Sequence, residues 1–74
     1  MYAILELQTN KNGVMSIVEP IFKTDNPIYA QNKIYTIAAS AVTSNLSVHT
    51  VICIDSYGKP CFNTPMSFEH IDEV

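Results

Sequence analysis

The sequence predicts an α+β domain of order ββαββ, a four-stranded antiparallel sheet in spatial order 2-1-3-4 with one long helix on one face. Three observations predict it. A helical apolar period occurs once, between Asn26 and Leu46. Strand-like runs precede and follow it in pairs. Each pair is joined by a Gly-bearing turn, Asn10-Lys11-Asn12-Gly13 in the first and Ser56-Tyr57-Gly58-Lys59 in the second. The 74 residues make one domain, with 1–70 as its body and 71–74 as an acidic tail expected to fray.

The first strand, Tyr2 to Thr9, alternates, with Ala3, Leu5 and Leu7 on one face and Tyr2, Ile4, Glu6 and Gln8 on the other. Asn12-Gly13 supplies positive φ for a tight hairpin, and Val14 to Lys23 returns as the second strand. Pro20 lacks a ladder donor, so that strand lies at an edge or bends there. Asn26 suits the N-cap of the helix and Pro27 its first position. A step of about 100° per residue places Ala30, Ile34, Ile37, Ala38, Ala41 and Val42 on the core stripe, flanked by Ile28, Tyr35 and Leu46. Val48 to Asp55 is apolar on both faces, which suits a central strand. Pro60 to Phe68 is a weaker last strand, marked as an edge by Pro60 and Pro65.

The far side of the helix carries Tyr29, Asn32, Lys33, Thr36, Ser40, Thr43 and Ser44. A solvent-facing helix on a small domain normally bears several charges, and here Lys33 is alone. Small neutral side chains allow close approach, so these seven residues form the candidate interface or ligand face, against the plainer reading of a hydrated Ser/Thr/Asn surface.

Composition points the same way. Charged residues make up 15% of the chain against a usual value of about 25%. A core of this size is marginal, and oligomerisation is one common remedy. Four scattered lysines, no arginine and a net charge of −3 argue against nucleic-acid binding. No apolar run is long enough for a membrane span and no leader pattern opens the chain, so a cytoplasmic protein is expected.

Catalytic patterns are scarce. Cys53 and Cys61 face each other if the turn between them is the three-residue Ser56-Tyr57-Gly58, and face apart if it is Tyr57-Gly58. Free, buried thiols are expected in either case. His49, Cys53 and Asp55 share a strand face, but residues four apart on a strand sit about 13 Å apart, too far for one metal ion. Glu6 with Glu19 is the best candidate acid–base pair, and hydrated carboxylates explain it as well. No enzyme activity, metal or cofactor is expected.

The run Ile4-Leu5-Glu6-Leu7-Gln8-Thr9-Asn10 followed by Gly13 resembles the start of small proteins of unknown function in phages and prophages of Gram-positive bacteria. Ala38-Ala39-Ser40-Ala41-Val42 before Val48-His49, then Asp55, Gly58 and Phe68-Glu69-His70, extend the resemblance over nearly the whole chain. These are spaced patches with no catalytic signature, and Pro20 and Pro65 depart from the pattern. The resemblance implies a phage or prophage setting, a compact ββαβ-type fold and host-cell cytoplasm, and carries over no functional residue.

The resulting expectation is a non-catalytic accessory protein acting as a homo-oligomer. It would bind a host protein or a small signalling ligand, with inhibition of a host defence as one form. The alternative is a minor structural or assembly component of the virion.

Overall fold

Two Gly-bearing turns set the ends of the sheet, and both use one construction. Asn10 Oδ1 accepts the backbone N–H of Asn12 (2.9 Å) and of Val14 (3.1 Å), and Gly13 sits at φ 79°. Asp55 Oδ1 accepts the backbone N–H of Tyr57 (2.8 Å) and of Lys59 (3.0 Å), and Gly58 sits at φ 77°. Each is a three-residue loop in which a glycine alone takes the left-handed conformation. Of the Asn12-Gly13 pair expected to supply positive φ, only Gly13 does so, while Asn10 closes the loop through its side chain.

The computed structural model of the chain describes residues 1–70, so the expectation for 71–74 lies outside the described residues. It is α+β: one helix and a five-stranded antiparallel sheet. The strands are β1 (Tyr2–Thr9), β2 (Met15–Ile17), β3 (Phe22–Thr24), β4 (Val48–Ile54) and β5 (Met66–Glu69). The helix α1 spans Pro27–Val42. The sheet order is β2-β1-β4-β5, with β3 also paired to β1.

Strand count and order thus differ in detail from the four-stranded 2-1-3-4 expectation. The return strand divides at the cis Glu19–Pro20 peptide, and its two halves pair with β1 in registers offset by two residues: Leu7 opposite Ile17, then Ile4 opposite Phe22. Pro20 can give no ladder N–H, so the chain bulges there and rejoins.

The last strand also starts later than expected, at Met66. Cys61 to Pro65 leaves the ladder through Phe62 and Asn63 at positive φ and a cis Thr64–Pro65 peptide. Buried Thr64 fills the gap: its Oγ1 accepts the Cys53 N–H at 2.9 Å and donates to the Cys61 carbonyl at 2.6 Å. A side-chain hydroxyl here does the work of a missing backbone partner.

Asn26 caps α1, its side chain accepting from Ile28 and Tyr29 N–H groups, with Pro27 behind it as expected. The C-terminus falls short of Leu46. Thr43 is the C-cap, and Ser44 Oγ accepts the Leu46 N–H in a local turn that competes with further helix. The core joins Ile4, Ala30, Ile34, Ile37, Val51 and Cys53, with Tyr2, Phe22, Phe62 and Met66 packed around them. Val42 is not part of it and is 70% exposed, and Ala38 is only half-buried. The buried stripe Ala30–Ile34–Ile37–Ala41 is narrower than expected because one helix on a twisted sheet presents only its innermost line.

Candidate functional site

Of the seven residues marked from sequence, five are exposed and two, Lys33 and Ser44, are half-buried. Tyr29, Asn32, Thr36 and Ser40 are exposed on α1. Lys33 is half-buried, its Nζ lying 5.6 Å from the centre of the Phe22 ring. That contact is of cation–π type and draws Lys33 towards the sheet. Thr43 and Ser44 lie beyond the helix, and Ser44 is half-buried.

Several of the hydroxyls are also turned inward. Thr36 Oγ1 donates to the Asn32 carbonyl at 2.8 Å and Thr43 Oγ1 to the Ser40 carbonyl at 3.2 Å. A hydroxyl satisfied by its own backbone presents chiefly its methyl group to a neighbour.

The residues that do dominate the outer face were read from sequence as flank or core. Ile28 is 71% exposed, Tyr35 62% and Val42 70%. They recur at seven-residue spacing, so they stand nearly in line on a helix, and Ile28 lies nine residues from buried Ile37, about 180° around it. Ala39 and Asn32 sit beside this ridge, and Ile28, Tyr29, Gln31, Asn32 and Tyr35 line a shallow depression on it. The signal was present in the sequence as a second apolar line. It was masked because Val42 fits either line when the helix rotation is unknown.

The second surface is the face of the sheet turned away from α1. Ile4, Val51 and Cys53 are buried under the helix, so their strand neighbours Leu5, Leu7, Ile52 and Ile54 point the other way. Ile17 lies opposite Leu7 on that same side and is 46% exposed.

Between helix and sheet lies a polar pair. Glu6 and His49 occupy diagonal positions on β1 and β4, and His49 Nε2 meets Glu6 Oε2 at 2.5 Å. The His49 side chain is 4% exposed and that of Glu6 20%. Gln8 Nε2 donates to the same carboxylate oxygen at 3.3 Å, while His49 Nδ1 is buried without a hydrogen-bond partner. Glu6 therefore pairs with His49 and not with exposed Glu19, because the hairpin register sets Val18 opposite Glu6. Glu6 and Glu19 still both line a cleft of about 310 Å³ with Phe22, Lys33 and Ile37. Among the described residues His49 hydrogen-bonds to no hydroxyl or thiol.

The cysteines sit opposite each other, because the Ser56-Tyr57-Gly58 loop puts the Cys61 N–H on the Cys53 carbonyl at 2.8 Å. Both are free. Burial pushes the Cys53 thiol up to about 11, and the neighbouring Cys61 adds to the rise. Such a thiol stays protonated and unreactive near neutrality. Among the described residues no three His, Cys, Asp or Glu side chains group as metal ligands, and no helix is long and apolar enough to cross a membrane.

No protein-family model, curated protein or solved structure matches this chain.

Proposed function

We propose that the chain is a non-catalytic binding protein that works as a homo-oligomer and captures a partner through the outer ridge of α1. One observation carries the reading: Ile28, Tyr35 and Val42 stand exposed in line on a helix whose only charge is Lys33. A contiguous apolar line on a solvent-facing helix is the pattern of a helix-in-groove contact. Tyr29 and Tyr35 are 61% and 62% exposed and add aromatic area that loses little side-chain entropy on binding. The resemblance to small phage and prophage proteins supports a host protein or a small signalling ligand as the partner, with a host-defence component as one such target.

The test is paired capture. Wild type and an Ile28→Lys/Tyr35→Lys variant are immobilised and exposed to lysate and to small-molecule extract of a Gram-positive host. The reading expects a ligand retained by wild type and lost by the variant, whose circular dichroism stays native because neither residue is in the core. Equal retention by both removes the ridge as the binding surface.

A further inference from the structure

We propose that two copies of this chain pack their open sheet faces together about a two-fold axis that brings Lys23 of each copy onto Glu69 of the other. The inference rests on the homo-oligomer part of the reading above and assigns it a surface distinct from the α1 ridge. An antiparallel sheet with one face in water normally alternates apolar-in with polar-out. This sheet does not. Its face away from α1 presents Leu5, Leu7, Ile17, Val48, Ile52 and Ile54 side by side, as the registers of β1 with β2 and β4 require. Along β4 only Thr50 interrupts the apolar line on that side. One helix covers one face, and a second layer is needed for the other.

Charge placement selects a second copy as that layer. Lys23 is opposite Ala3 at one corner of the face, and Glu69 is opposite Val48 at the diagonally opposite corner. On that face the paired positions between them are uncharged. Among the described residues neither takes part in an ion pair within the chain. A two-fold axis in the plane between the sheets, perpendicular to the Lys23–Glu69 diagonal, places each lysine on the partner's glutamate twice over. With strands about 4.8 Å apart and about 3.4 Å per residue, that axis makes the strands of one sheet cross those of the other at about 70°, towards the orthogonal class of sheet packing. An aligned packing leaves all four charges without an opposite partner. The isologous arrangement is also the commonest oligomer symmetry.

Sedimentation at micromolar concentration tests it with wild type, Ile52→Lys, Lys23→Glu, Glu69→Lys, the double reversal Lys23→Glu/Glu69→Lys, and Tyr35→Lys. The expected results are a wild-type mass twice 8.2 kDa, a monomeric Ile52→Lys and an unaffected Tyr35→Lys. Either single reversal raises the dissociation constant about five-fold, and the double reversal restores it. A monomeric wild type overturns the homo-oligomer reading and this inference together. An oligomer that survives Ile52→Lys and is lost in Tyr35→Lys overturns the sheet-face inference alone. Should Ile52→Lys fail to fold, the exposed charge reversals decide: a dimer indifferent to both single changes overturns the proposed geometry.

Discussion

His49 and Glu6 meet across β1 and β4 beneath the helix, the imidazole Nε2 against the carboxylate Oε2, and each is the other's main polar contact. The pair ties the central strands at the end of the sheet where the apolar core of Ile4, Val51 and Cys53 has given way to polar positions. Removing one member leaves the other buried without its partner, which is the costly half of any hydrogen bond.

Glu6→Leu is therefore expected to destabilise by about 1–3 kcal/mol, and His49→Leu by a similar amount. The double variant recovers part of the loss, since two apolar side chains no longer orphan a polar group. Urea unfolding of the four proteins completes the cycle. Strict additivity would show that the contact contributes no coupling.

Cys53 should make stability pH-dependent in alkali. Its folded-state value is raised from 9.0 to about 11, so the unfolded chain releases the proton first. The associated stability is fully present below pH 9 and is lost as pH rises from 9 to 11, on the order of 2 kcal/mol. Cys53→Ala removes this decline while lowering stability at neutral pH through the lost side-chain volume. Melting curves from pH 8 to 11 for both proteins separate the two effects. An aromatic disulfide reagent should titrate half-buried Cys61 in the native protein and Cys53 only after unfolding.

The two glycine turns offer a cleaner test of backbone conformation. A Cβ at Gly13 or Gly58 meets nothing within 4 Å, so strain alone sets the cost of alanine there. Each change is expected to destabilise by about 1 kcal/mol from the left-handed backbone. At the second turn, hydrogen bonds from the Lys59 and Tyr57 N–H groups hold the Asp55 carboxyl below its usual 3.8. Its contribution is present above pH 3.8 and is lost as pH falls through the lowered value. Asp55→Asn keeps an accepting oxygen and should flatten that acid dependence in melts between pH 2 and 5.

Helix rotation is checked by pairing a core position with a ridge position. Ile34→Ala is expected to cost about 2–5 kcal/mol, since Ile34 is 1% exposed at the centre of the core. Val42→Ala, at 70% exposure, should change monomer stability by less than about 0.5 kcal/mol. Equal losses on thermal melting would place Val42 in the core after all.

Much of the architecture was legible because it is local. Asn26-Pro27 starts the helix, alternation along Tyr2–Thr9 sorts its two faces, and doubly apolar Val48–Ile54 belongs between neighbours. Those signals depend on residues a few positions apart, and the chain obeys them wherever nothing distant competes. Pro20 and Pro65 were visible as interruptions too. How the chain absorbs them, by offset pairing to β1 and by the Thr64 hydroxyl under Cys53, depends on partners that periodicity does not name.

The surfaces were decided only in three dimensions. Val42 satisfies either helical line by spacing, and the sheet beneath accepts only the line through Ile34 and Ile37, leaving Val42 with Ile28 and Tyr35 in solvent. Spacing alone left Glu6 near Glu19, but the Asn10–Val14 turn sets Val18 opposite Glu6 and the β1–β4 register supplies His49 as its partner. Sequence by itself determined the kinds of element and their starting points, through short-range sterics and hydrogen bonding. Tertiary structure decided which apolar side chains are buried and which remain to bind, because burial depends on how much surface one helix and one sheet can cover together.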